Sequence, residues 1–159
     1  MKIFLSSRYG RRDEMLARAA ELTRLGHGVV SSWIYGSHES SEVETAADTV
    51  PVFKAMPFVI DDLADIQLAQ VFIAFTERPD SAHARGGRHV EYGIALDRHI
   101  KGDLKNILII GPRENIFYCI PSSGDRRVYH LPEWDLKHVG EILTEAAYIL
   151  FQSEFKEVT

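Results

Sequence analysis

The chain has 159 residues, a length that suits a single domain with a real hydrophobic core. Hydrophobic residues make up 45% and charged residues 26%, an ordinary globular balance, and a formal net charge of −5 argues against a general nucleic-acid binder. One cysteine, Cys119, excludes an intramolecular disulfide and any cysteine-based zinc site, and the seven histidines form no HExxH motif.

The opening MKIFLSS is too short an apolar run for a signal peptide, and no stretch approaches the roughly 18 apolar residues of a membrane span. A cytoplasmic protein without membrane contact is therefore expected. KIFLSS reads as a first strand. RRDEMLARAAELTRLG places Met15, Ala19, Leu22 and Leu25 at helical spacing, with Gly26 as its stop. HGVVSSWI reads as a second strand, and the polar stretch 35–49, which has no period, as a loop. Pro51 and Pro57 interrupt the segment VPVFKAMPF; from Phe58 onward Ile60, Leu63, Ile66 and Leu68 suit a helix. VFIAFT and NILIIG are continuous apolar runs, as strands buried on both faces should be, and the spacing between them predicts a helix over 88–99. RVYHL supplies a last strand and 136–155 a closing helix. This alternation argues for a parallel sheet with helices on both faces, where ligands bind beyond the carboxyl ends of the strands.

Three segments lie at that edge, SSRYGRR, TERPDSAHARGGRHVE and GPRENIFY, and the helix segment IDDLADIQ is considered with them. In SSRYGRR, Gly10 permits an unusual turn, and the start of the next helix offers free N–H groups to an anion. Arg11 and Arg12 stand where the helix dipole disfavours cations, so either a bound phosphate or carboxylate holds them, with Arg8, or they simply point into water. Neither GxxxxGK[ST] nor GxGxxG occurs, so ATP or NAD binding in those modes is unsupported. In GGRHVEYG the glycines let backbone pass close to a ligand, and Glu91 sits where the dipole favours an ionised carboxylate. In IDDLADIQ, Asp61, Asp62 and Asp65 crowd one stretch of helix and raise one another's pKa. A protonated aspartate and an ionised glutamate are the acid and nucleophile of a glycosyl transfer. Taken singly, each segment reads more readily as solvated surface charge.

Taken together and in order, KIFLSSRYG, DDLADIQLAQVFIAF and GGRHVEYGIAL resemble the nucleoside 2-deoxyribosyltransferase family, whose relatives include 2'-deoxynucleoside 5'-monophosphate N-glycosidases. The resemblance covers residues 1–111, with Glu91 about 29 positions after the Asp62–Leu63 pair. It implies one α/β domain over 1–159: a doubly wound, flavodoxin-like sheet of five parallel strands with helices on both faces. It also implies that Glu91 attacks the anomeric carbon of a deoxynucleoside to form a covalent deoxyribosyl-enzyme, and that Asp62 hydrogen-bonds the departing base and assists its protonation. Phe4, Ser6, Ser7, Arg8, Tyr9 and Arg11, with Arg85, Gly86, Gly87 and Arg88, are the expected substrate contacts. Phe4 stands where relatives often carry a tyrosine near the nucleophile, so either Tyr9 or Tyr92 substitutes or the nucleophile is held differently. Arg85 stands where the transferases carry an aspartate on the sugar, and an arginine suits a 5'-phosphate better than a hydroxyl.

The partner implied is a small deoxynucleoside or deoxynucleotide rather than a nucleic-acid polymer, and the chemistry needs neither metal nor organic cofactor. Relatives form dimers or larger rings, so a homo-oligomer is expected, with Ile116, Phe117 and Tyr118 either at its contact or in the local core. Two other readings stay open: a non-catalytic nucleotide-binding or sensing domain on the same scaffold, and an NAD-cleaving glycosidase.

Overall fold

The computed structural model describes residues 1–36, 52–78 and 87–156. In chain order the elements are β1 (Lys2–Ser6), α1 (Arg12–Arg24), β2 (Gly28–Val29), α2 (Val52–Leu68), β3 (Val71–Phe75), α3 (Gly87–Lys101), β4 (Asn106–Ile110), β5 (Arg127–Leu131) and α4 (Leu136–Lys156). The strands lie in the order β2-β1-β3-β4-β5 and every neighbouring pair is parallel. This is the doubly wound, flavodoxin-like order, with its topological switch between β1 and β3. The chain steps outward from β1 to β2 and then returns past β1 to β3. With right-handed crossovers, α1 and α2 therefore cover opposite faces. Helix α3 packs beside α2. Helix α4 shares the face of α1, to which Trp134, just ahead of it, is tied by a hydrogen bond from its indole to Glu21.

All five residues of β3 and all five of β4 are buried, which is why neither strand alternates in polarity. Phe4 and Phe72 stack at 5.5 Å between ring centroids across the β1–β3 pairing, and Tyr92 of α3 lies against Phe72. On the other face Met15, Ala19 and Leu22 of α1 close the core, at the spacing expected from sequence. Gly26 ends that helix with a φ of 84°, a conformation that glycine adopts freely.

Two elements differ from expectation. The second strand stops at Val29 rather than running on to Ile34, because side chains take over the pairing with β1. Ser31 Oγ accepts the Leu5 amide at 2.6 Å, and the Trp33 indole donates to the Leu5 carbonyl at 2.9 Å. The backbone, released from the ladder, turns through a short 3₁₀ segment, Ser32–Ile34. Helix α2 runs through Pro57 instead of starting after it. A proline there removes one backbone hydrogen bond early in the helix, a loss on the order of 3 kcal/mol. The later turns carry the packing, with Ile66 buried. Most of the loop expected over 35–49 lies outside the described residues.

Candidate active site

Strand β1 is apolar until its last residue. Ser6 ends it, 1% exposed, at the carboxyl edge beside the switch point. Such a hydroxyl needs a partner, since burying one unbonded costs about 1–3 kcal/mol. The partner is on α3: Ser6 Oγ donates to Glu91 Oε2 at 2.6 Å. Glu91 lies between the buried Arg88, Tyr92 and Ala95 on a helix whose other face is exposed at Val90 and Gly93. Its carboxylate is thus turned inward against the strand ends, half-buried.

Helix α2 brings the second carboxylate. Of its three aspartates, Asp65 accepts the Ser32 amide at 2.7 Å and so braces the turn after β2, while Asp61 is exposed. Asp62 is half-buried, and its Oδ1 is a buried acceptor without a hydrogen-bond partner. Burial, reinforced by Asp65 and Asp61, pushes the Asp62 carboxyl up to about 6. Burial also pushes Glu91 up to about 7; the Ser6 bond and Arg88 oppose the rise and the charge of Asp62 adds to it. The expectation that the helix dipole keeps Glu91 ionised is therefore corrected, because desolvation outweighs the dipole five residues into α3. The arrangement is two carboxyl groups that sense each other, both titrating near neutrality, on adjacent helices above the β1–β3 crevice.

Arg8, Arg11 and Arg88, expected as substrate contacts, are each engaged by a carboxylate. Arg8 Nε is 3.0 Å from Glu77 Oε1, and Arg11 makes a two-point pair with Glu14 at 2.7 and 2.9 Å while also reaching Glu77. Arg12 donates to the Ile34 carbonyl. Arg8 and Arg11 line a cavity of about 520 Å³ bounded by Glu77, Gly111 and Trp134, to which neither Glu91 nor Asp62 contributes. Gly10 is not in the left-handed conformation that its turn suggested. What it provides is room, since a Cβ there would meet the Arg8 guanidinium at 2.8 Å. Arg88 is 4% exposed and forms a two-point pair with Glu114, Nε to Oε1 at 3.1 Å and the other nitrogen to Oε2 at 2.6 Å. Glu114 also accepts the Glu77 amide and has His89 3.3 Å away.

Phe4 is wholly buried against Phe72 and offers no open surface to a substrate. Ser7 is buried, with an unpartnered Oγ one residue beyond Ser6. Tyr9 packs on Trp33 and Tyr92 donates to the Phe117 carbonyl, so neither supplies Glu91 with the hydroxyl that Phe4 lacks. Gly87 opens α3 in an exposed position where a Cβ would meet nothing within 4 Å. Arg85 and Gly86 lie outside the described residues. Ile116 and Phe117 are exposed whereas Tyr118 is buried and stacked on Tyr92, so the aromatic run divides between surface and core. Sequence reasoning had Ser6 only as a substrate contact and missed Glu77 and Glu114. A serine closing an apolar strand was the available signal for the first.

Among the described residues no group of three or more His, Cys, Asp or Glu is placed to hold a metal ion. No helix among them is long and apolar enough to cross a membrane. No family model matches the sequence, and no curated protein matches it. Among solved structures the chain is similar to a CMP N-glycosidase of Clostridium botulinum, BcmB, with a TM-score of 0.48 and 17% identity over 91% of this chain and 99% of that one.

Proposed function

We propose that this domain cleaves or transfers the N-glycosidic bond of a 2'-deoxynucleoside or its 5'-monophosphate through a covalent glutamyl-deoxyribosyl intermediate. The observation that supports this reading is the pairing of Glu91 and Asp62 at the switch point, one carboxylate anchored by a hydroxyl and the other presenting a buried, unpartnered oxygen. Glu91 Oε1, which Ser6 leaves unoccupied, attacks C1' of the sugar. The C1'–N bond breaks, its electron pair goes to the base, and the proton carried by Asp62 passes to the departing nitrogen. Water or a second base then attacks C1', the C1'–Oε1 bond breaks to restore the Glu91 carboxylate, and the proton released from the incoming nucleophile returns to Asp62. Each half-reaction leaves atoms and charge in balance, and hydrolysis differs from transfer only in what enters last.

The working state holds one proton between the two carboxyls, with Asp62 protonated and Glu91 ionised. Groups raised to about 6 and about 7 share one proton around neutrality as a coupled pair; the proton rests mainly on Glu91, and the reaction draws on the form in which it has passed to Asp62. One feature favours a second reading: a Glu91 protonated for much of the neutral range can donate to a sugar hydroxyl in a binding-only domain. The experiment that separates the two is release of free base from a panel of deoxynucleosides and their 5'-monophosphates, with wild type and Glu91→Gln. The catalytic reading expects release by wild type, fastest around neutral pH, and a loss of at least ~10³-fold in the variant. Equal turnover by folded Glu91→Gln excludes the glutamyl intermediate, and binding without base release supports the sensing domain. The same panel tests whether Arg8, Arg11 or Arg85 meets a 5'-phosphate: the monophosphate then outbinds its nucleoside, and neutralising the responsible arginine shrinks the gap.

A further inference from the structure

We infer that Ser6 is the positioning residue of the reaction: its hydroxyl fixes which oxygen of Glu91 attacks and favours the ionised carboxylate. The inference rests on the glycosyl-transfer reading above and deepens it. Ser6 and Phe4 point to the same face of β1, because alternate residues of a strand share a face. That face carries α2 and α3, and the apolar stack of Phe4, Phe72 and Tyr92 ends where the hydroxyl begins. The strand itself is rigid, being paired to β3 through Ser6↔Ala74. A hydroxyl on that frame is a fixed reference point, whereas Glu91 has three rotatable bonds and no other hydrogen bond among the described residues.

The groups facing Glu91 make Ser6 the decisive one. From α2, Asp62 repels the ionised form; from the 3₁₀ turn Ile116–Cys119, the hydroxyl of Tyr118 lies within electrostatic range; on α3 itself Arg88 attracts it, but that guanidinium is bound at two points by Glu114. Among the described residues Ser6 alone hydrogen-bonds the carboxylate, and a distance of 2.6 Å is that of a charge-assisted O–H···O bond. Because it occupies Oε2, the lone pairs of Oε1 are left for C1'. Without Ser6, burial and Asp62 act unopposed by any direct contact, and the carboxyl both wanders and holds its proton to higher pH.

The test is the titration of Glu91 in ¹³C-glutamate-labelled full-length protein, with its resonance identified from its absence in Glu91→Gln. Wild type, Ser6→Ala and Ser6→Thr are compared. Ser6→Ala is expected to move the Glu91 midpoint upward by about one pH unit, with Ser6→Thr, which keeps the hydroxyl, close to wild type. In turnover, Ser6→Ala should lower kcat roughly tenfold or more with little change in KM, and shift the acid limb of the kcat profile upward in step with the titration. A Glu91 midpoint that stays in place in Ser6→Ala overturns the inference, and so does a loss that falls on KM instead of kcat. The titration needs no turnover, so its outcome is read separately from that of Glu91→Gln, whose unimpaired activity overturns the glycosyl-transfer reading itself.

Discussion

Two glutamates of this domain, Glu114 and Glu91, stand in opposite circumstances. Glu114 has a side chain only 3% exposed and is fully matched: Arg88 binds both its oxygens, the Glu77 amide donates to one, and His89 lies against the other. Glu91, close by on α3, has a single hydroxyl for a partner and a second carboxylate within range. The first arrangement is what a fold needs in order to keep charge out of water. It ties β3 and the start of α3 to the segment after β4. The second is destabilising for the fold at neutral pH, and groups in such surroundings are concentrated at functional sites.

The comparison breaks most visibly at Glu114. Glu114→Ala removes the carboxylate that binds the buried Arg88 guanidinium at two points, and removing one partner of such a pair costs about 3–5 kcal/mol. Chemical denaturation should register a loss of that size. A change below ~1 kcal/mol would mean that Arg88 finds another acceptor, and the contrast with Glu91 would fail. Next comes Asp62, whose charge adds to the cost that burial puts on an ionised Glu91. Asp62→Asn should slow release of poorly departing bases by about 10²–10⁴-fold, the usual worth of a general acid, while barely affecting substrates whose base leaves unaided. Equal slowing of both kinds would assign Asp62 to sugar binding instead.

How far this contrast is visible in the sequence depends on the range over which each feature acts. Strands β3 and β4 are legible because burial on both faces leaves an unbroken apolar run in the sequence. Helix α1 is legible from its period and its glycine stop. The end of β2 is not, because Ser31 and Trp33 pair with β1 through side-chain atoms, which no strand propensity records. Pro57 misleads in the other direction, since a local rule about one missing donor is overridden by tertiary packing of the turns beyond it. At the site, Glu91 and Asp62 stand out only through the resemblance, since each segment alone reads as solvated surface charge. The fates of the arginines are not legible even so: Arg88 meets a glutamate 26 positions away, and Arg8 one 69 positions away. Spacing in the chain carries no information about such pairs, which is why Arg8, Arg11 and Arg88 read as ligand contacts when each is already held by a carboxylate.

The smallest predicted effect sharpens the comparison from the side of stability. In the folded protein Glu91 is raised to about 7, well above an ordinary glutamate. Between the unfolded value near 4.5 and that folded value, the native state holds the proton more tightly than the unfolded chain does. Stability contributed by this group is thus fully present below about pH 4.5 and is lost as pH rises through 7; above it, the buried charge weighs against folding. Glutamine keeps the shape, and its carbonyl still accepts from Ser6, but it has no charge to bury. Glu91→Gln should therefore match wild type in stability near pH 4.5 and exceed it by up to ~2–3 kcal/mol at pH 8, an upper bound because Glu91 is not wholly shielded from solvent. Urea denaturation of the two proteins at both pH values reads the difference directly. A gain that is the same at both would place its origin in packing, and a gain that grows with pH identifies Glu91 as the group whose charge the fold carries at a loss of stability. The same substitution that removes base release would then make the protein more robust, whereas at Glu114 no loss of charge can do so.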